Sequence, residues 1–255
     1  MKRKSIKMTL MAVIIFIFIF VIYKTYAEHN NRYNSYINSM INNSVYNTCD
    51  SLIEMNAIIE KSLEKEYILK SEIITLNSLY QKYLDSFSDY DNLCKYLRDY
   101  TFSEVDDRYL FNHEFTEFYS RIERLFDIDN LTEDKYLLDK LQLAEIRESF
   151  NYTSSAVKII KENMDFYNTF DISIMEEETD QGIMINIKQV YKEEYLKNWP
   201  ENVGGQGAQG SSEGSNASSK ENERDYPEKP YLTEKDDTWF LIMQKFKQLN
   251  MDEKY

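Results

Sequence analysis

The sequence predicts an all-α protein: an N-terminal membrane helix, an elongated antiparallel helical bundle, a flexible linker and a C-terminal helix. Three observations carry that expectation. No glycine or proline precedes Gly182, and these are the residues that most disfavour helix interiors. Apolar side chains before that point recur at spacings of three and four, the period of a helix face. Five of the six glycines fall between Val203 and Ser219, with Pro200, Pro227 and Pro230 just outside, so the helix-breaking residues are gathered in one place.

The first element, residues 1–27, is read as a signal anchor or a signal peptide. Met8 to Tyr23 are sixteen positions without a charge, preceded by the basic stretch MKRKSIK. Basic residues on that side favour a cytoplasmic N-terminus and an extracytoplasmic remainder. Sixteen helical residues fall a little short of a typical span, which leaves Lys24 to snorkel. Thr25 and Ala27 offer a small-residue cleavage site after Ala27, which would yield a secreted chain. The retained anchor is preferred, because no Gly or Pro separates the apolar run from that site and the helical pattern runs on past it.

Charge divides the chain in the same way. Lys2, Arg3, Lys4, Lys7 and Lys24 all precede the first acidic residue, Glu28; the formal net charge is −14, so removing these five cations leaves −19 on residues 28–255. An acidic body repels nucleic acid and anionic lipid headgroups. The expected partners are the membrane, through the N-terminal helix, and protein, with no nucleic acid.

Residues 28–200 are read as the extracytoplasmic bundle. Val45, Cys49, Leu52, Asn56, Ile59 and Leu63 form one seam, and Ile73, Leu76, Tyr80, Tyr83, Phe87, Tyr90, Cys94 and Leu97 a second, both with the 4-3 spacing of coiled-coil-like packing. Lys70, Ser71 and Glu72 interrupt the pattern, and Ser71 is a candidate N-cap, so a helical hairpin turning near Ser71 is expected in preference to one long helix from Tyr33 to Tyr100. Ser103 is read as the cap of a third helix with Val105, Phe111, Phe115, Phe118, Ile122 and Leu125 on one face. Thr132 is read as the cap of a fourth, through Leu138, Leu141, Ala144, Ala156, Ile159, Ile160, Met164 and Tyr167, with a kink or division at FNYTSSAV. Between Ile172 and Trp199 two patterns compete. Alternation of Ile172 with Ile174, and of Ile183, Ile185 and Ile187, suits a hairpin closed at Asp180 to Gly182; a helix ending at Trp199 is preferred, because two isolated strands are marginal.

Chemistry is sparse. His113 and Glu117, in HEFTE, fall one ligand short of the metalloprotease pattern and are read as surface residues. Asp127 to Asp134 lacks the spacing of a calcium loop and reads as a turn. Glu176, Glu177, Glu178 and Asp180 read as a solvated loop. Glycine-dependent phosphate and dinucleotide motifs have no match, so no catalytic residue, metal or cofactor is assigned, and the chain is read as a non-enzyme. Cys49 and Cys94 lie about equally far from the proposed turn, which brings them level across the hairpin as a disulfide candidate or as two small reduced core residues.

Residues 201–230 are expected to form a Gly/Ser-rich flexible tether, and residues 231–255 an amphipathic helix. Thr233 with Asp236 resembles a capping box, and Trp239, Phe240, Met243 and Phe246 form a face that either docks back on the bundle or serves a protein partner. The functional expectation is a non-catalytic, membrane-anchored, extracytoplasmic protein acting through protein contacts. The alternative is a secreted helical module that binds a small ligand between its helices.

Overall fold

The computed structural model describes residues 2–98, 126, 131–180, 182–197 and 229–252. The chain is mostly helical. Its spine is α1 (Lys2–Lys65), one uninterrupted helix of 64 residues, about 96 Å long at 1.5 Å per residue. From Ile41 to Ile59 the core residues Ile41, Val45, Cys49, Leu52, Met55 and Ile59 are all 0–1% exposed, because the rest of the protein wraps this half of the helix. β1 (Tyr67–Leu69) follows, then α2 (Lys70–Arg98) returns along α1. The seam of α2 is in the core as spaced: Ile73, Leu76, Tyr80, Tyr83, Phe87, Tyr90 and Cys94 are all buried.

The hairpin turns where the sequence places it, but by different means. Glu66 takes φ 57°, the left-handed conformation that usually ends a helix on glycine, which is why the turn is poorly marked in the sequence. Ser71 is not the cap of α2: it lies inside the first turn and its hydroxyl donates to Ile183 O at 2.8 Å. Glu72 does the capping instead, its Oε2 accepting from Leu69 N at 2.9 Å, the carboxylate half of a capping box.

Thr132 does not start a helix either. Lys135–Leu137 form β2, antiparallel to β1 with Tyr67 opposite Leu137. Helix α3 (Lys140–Asn163) begins after Asp139, whose Oδ1 accepts from Leu141 N and Gln142 N at 2.8 Å each while Gln142 Oε1 accepts from Asp139 N at 2.9 Å. This reciprocal cap is stronger than a lone threonine, and it rotates the helix so that Leu141 is exposed while Ile146, Ser149, Thr153, Ala156 and Ile160 face inward. The polar patch within FNYTSSAV does not divide α3, which runs unbroken through it, and Thr153 continues the buried face.

After a 3-10 turn (Asp165–Asn168), β3 (Phe170–Thr179) and β4 (Gly182–Tyr191) form an antiparallel hairpin, followed by the short α4 (Glu193–Lys197). The preference for a helix ending at Trp199 is thereby corrected. The ribbon is not isolated: Ile172, Ile174, Ile185 and Ile187 pack on the core, and Lys61 Nζ donates to Ile174 O at 2.6 Å. Nor is Glu176 part of a solvated loop. It sits in β3, 3.3 Å from Lys61 Nζ and 2.9 Å from Lys65 Nζ. Lys65 in turn pairs at 2.9 Å with the fully buried Glu72, so one charge network fastens the ribbon to the helical turn. Gly182, φ 105°, closes the hairpin beside Asp134; a Cβ there would lie 2.6 Å from Asp134 Oδ1.

The last element, α5 (Asp237–Asp252), packs between α2 and α3. The expected third helix, with His113, Glu117 and Asp127 to Asn130, lies outside the described residues, as does the tether from 201 to 228.

Candidate functional site

Three surfaces are candidates, and each is set by α1. The first is its N-terminal part. Ile15, Phe16, Ile17, Phe18, Ile19, Phe20, Val21, Ile22 and Tyr23 are each 51–71% exposed. Nine consecutive large apolar residues cover every side of a helix, and nothing in the described chain covers them. Among the described residues no helix is long and apolar enough to cross a membrane; the side chains of residues 2–10 and 12–14, in the expected anchor, lie outside that description.

The second surface holds the C-terminal segment. Four polar residues of α1, one turn apart, grip the extended chain that leads into α5. Asp50 Oδ2 pairs with Lys229 Nζ, Tyr46 OH donates to Pro230 O, Asn42 pairs with both the N–H and the C=O of Leu232, and Asn38 Oδ1 accepts from Glu234 N at 2.9 Å. From Tyr46 to Asn38 the periods match, since four helical residues advance about 6 Å and two extended residues about 6.6 Å, while Lys229 reaches Asp50 with its long side chain. Asp50 also accepts from Tyr167 OH at 2.8 Å. Burial first, and then the neighbouring Cys49 and Asp50, push the Tyr46 hydroxyl pKa well up, so it remains a neutral donor.

Beyond the strap, Trp239, Met243 and Phe246 are fully buried and Phe240 is half-buried. Of the two fates considered for this face, the described structure has it docked on its own chain. Trp239 Nε1 donates to Thr233 O at 3.1 Å, the Tyr90 hydroxyl donates to Trp239 O, and the Trp239 and Tyr90 rings lie 6.4 Å apart. Arg98, in the last turn of α2, sits 5.8 Å from the Trp239 ring and pairs with Asp237 at 2.8 Å. The Thr233 and Asp236 pair closes a turn just ahead of the helix, with Asp236 Oδ2 accepting from Thr233 N at 2.7 Å.

Cys49 and Cys94 are both fully buried and are not joined in a disulfide. Burial, followed by the charge of Asp50, pushes the Cys49 thiol far above its usual range. It is a packing residue in this environment, not a nucleophile, since reactivity requires the thiolate.

The third surface is a furrow of about 580 Å³ between α1 and α3, lined by Asn56 and Glu60 on one side and Phe150, Ser154, Lys158 and Lys161 on the other. A smaller furrow of about 370 Å³ adjoins it, sharing Glu60 and Phe150 and adding Glu64 and Arg147. The α1 wall is acidic, and the opposite wall carries both signs, with Arg147, Lys158 and Lys161 beside Glu162 and Asp165. Among the described residues no three His, Cys, Asp or Glu side chains are grouped to hold a metal.

Sequence reading named the aromatic face of α5 but not its receptor. Asn38, Asn42, Tyr46 and Asp50 recur every fourth residue beside an apolar seam, a legible stripe whose meaning depends on a strap 190 residues away. The fold and its surfaces define a class, a mostly helical protein whose C-terminus is clasped to its longest helix. Compared with known proteins, the chain matches no family model, no curated protein and no solved structure.

Proposed function

We propose that this is a non-catalytic, membrane-anchored protein whose body lies outside the cytoplasm and acts through protein contacts. The observation that carries the reading is the uncovered apolar surface from Ile15 to Tyr23 on the same helix that forms the core from Ile41 onward. A helix apolar on all sides belongs in a nonpolar medium, and four basic residues before it favour a cytoplasmic N-terminus. Continuity of α1 through Ala27 supports retention over cleavage, because a scissile bond within a helix is not presented as an extended substrate. The functional role rests on what the described body offers: a polar ladder, furrows and a docked helix. Alkaline extraction of membranes tests the anchor, and protease added to intact cells tests the sidedness. The reading expects the chain in the washed pellet and digestion of residues beyond the anchor; a soluble chain, or a body protected in intact cells, overturns it.

A further inference from the structure

We propose that α1 carries a second seam, through Tyr26, His29, Tyr33, Tyr36 and Met40, on which a second copy of this chain docks to form a parallel coiled-coil dimer. The inference rests on the reading that α1 is a retained anchor, because a common anchor gives every copy the same orientation.

Spacing defines the seam. These five residues follow one another at intervals of three, four, three and four, and Ile15, Ile19 and Ile22 carry the same register into the apolar run. That is the heptad period, which keeps one stripe of a helix facing a partner helix. It is not the face that packs on the body. That face runs through Ile37, Ile41 and Val45, all buried, about a quarter turn away on a helix of 3.6 residues per turn. Tyr26, Tyr33 and Tyr36 are instead each more than half exposed, His29 is exposed, and Met40 is half-buried against the core. Asn43, exposed, and Asn47, half-buried, continue the register, so the stripe turns polar where the body begins to wrap α1.

The position of the seam excludes lipid as its cover. Tyr33 and Tyr36 lie about 15 and 20 Å beyond Tyr23 along the helix, past a headgroup layer about 5–8 Å thick. Charge favours a copy of the same chain. Residues 28–255 carry −19, yet no carboxylate occurs between Glu28 and Asp50, and Arg32 is the one Lys or Arg there. Glu28 itself lies 3.9 Å from Lys24 of its own helix. The repulsion that keeps acidic bodies apart is thus missing from this stretch. In a parallel pair each seam residue meets its own counterpart, so tyrosine faces tyrosine, a favourable aromatic contact. At roughly 200 Å² for a whole aromatic side chain, the exposed parts of the three tyrosines bring about 370 Å² per copy. That approaches half of the ~800 Å² per partner of a standard interface, and His29 with Ile15, Ile19 and Ile22 extends it.

The test is oxidative cross-linking of the full chain in membranes, with copper phenanthroline and oxygen as the oxidant. Tyr33→Cys and Tyr36→Cys are each expected to form a disulfide-linked dimer at least tenfold faster than Asn31→Cys, which lies on the opposite side of the helix. The parent chain, with Cys49 and Cys94 fully buried, is expected to form none. In detergent micelles the parent is expected at about 61 kDa, twice 30.5 kDa. Tyr33→Glu combined with Tyr36→Glu is expected as a monomer with the melting midpoint of the body unchanged, since both side chains are exposed. Should that variant unfold, Tyr33→Ser with Tyr36→Ser replaces it under the same expectation. A monomeric parent, a trimer or larger assembly, or cross-linking as fast from position 31 as from position 33 overturns the proposal. A chain that stays in washed membranes without cross-linking loses the seam alone, whereas a soluble chain that cross-links through position 33 loses the anchor alone.

Discussion

Asn42 holds both polar groups of Leu232: its Nδ2 donates to Leu232 O at 2.6 Å and its Oδ1 accepts from Leu232 N at 2.9 Å. One side chain thus does for the strap what a neighbouring strand does for a sheet, and it fixes how the amide is oriented. Asn42→Ala should cost about 2 kcal/mol, from two part-buried hydrogen bonds at roughly 1 kcal/mol each. Asn42→Asp should also destabilise, since the carboxylate cannot donate to Leu232 O. Equilibrium urea unfolding checks both, and amide exchange at Leu232 should quicken in each.

Among the described residues Trp239 is the largest side chain buried without exposure. Trp239→Ala should destabilise by about 3–5 kcal/mol through the lost transfer energy and the cavity left behind. Truncation after Ser219 should lower the melting midpoint further and raise binding of a hydrophobic dye, because Tyr90 and the facing surface of α3 lose their cover. Calorimetry that finds the truncated chain as stable as the parent would refute the docked assignment of α5.

Two backbone positions should respond to substitution in opposite directions. Glu66, exposed and at φ 57°, carries a left-handed strain of about 1 kcal/mol that glycine lacks. Glu66→Gly should therefore be neutral to stabilising, the relief being partly offset by the freer unfolded chain. Gly182→Ala combines φ 105° with a contact 2.6 Å from Asp134 Oδ1, and should lower the melting midpoint. Thermal unfolding of the two single variants reads both signs.

The charge network predicts how stability varies with pH. Burial pushes Glu176 up, but hydrogen bonds and charge from Lys65 and Lys61 outweigh it and hold the carboxyl below its ordinary 4.5. A depressed acid contributes stability that is present above its unfolded pKa and is lost as pH falls through the folded one. Lys65 runs the other way: burial alone would lower it, yet Glu176 and Glu72 hold it above 10.5. Its contribution is complete below 10.5 and disappears as pH rises through the folded value. Glu54 is raised above 4.5 by burial and then by Asp50, against the attraction of Lys82 and Lys229. Stability therefore declines as pH rises through its range, and Glu54→Gln should stabilise the protein at pH 7. Denaturation midpoints from pH 3 to 11 should lose part of the acid limb in Glu176→Gln, and Glu54→Gln should gain stability only as pH rises through and above the range in which Glu54 ionises, above the ordinary 4.5.

The long helices were legible because their evidence is local: absence of Gly and Pro, and apolar spacing that continues for about five turns in α1 and more than six in α2. The hairpin of α1 and α2 was legible in its position but not in its chemistry, since Glu66 occupies a site where glycine is the usual signal. The β3–β4 ribbon was misread because its stability is tertiary. Ile174 and Ile185 alternate as strand residues, but what makes two strands sufficient is the surface of α1 and α2 and the Lys61, Lys65 and Glu176 contacts, none of them local. Thr132 misled for a related reason: an N-cap preference is worth about 1 kcal/mol, less than the box at Asp139 and Gln142 together with strand pairing to β1. The apolar face of α5 could be read from Trp239, Met243 and Phe246. The Asn38 to Asp50 ladder could not, because polar residues at helical spacing ordinarily face solvent.

The most direct test of the account is the intact mass of the protein recovered from cells, measured separately in the alkaline-washed membrane fraction and in the soluble fraction. A retained anchor on one continuous α1 predicts the uncleaved N-terminus, Met1 through Tyr23 still attached, in the membrane fraction. A chain beginning at Glu28 in the soluble fraction would contradict it, showing that α1 is cut after Ala27 and that the body works free of the bilayer.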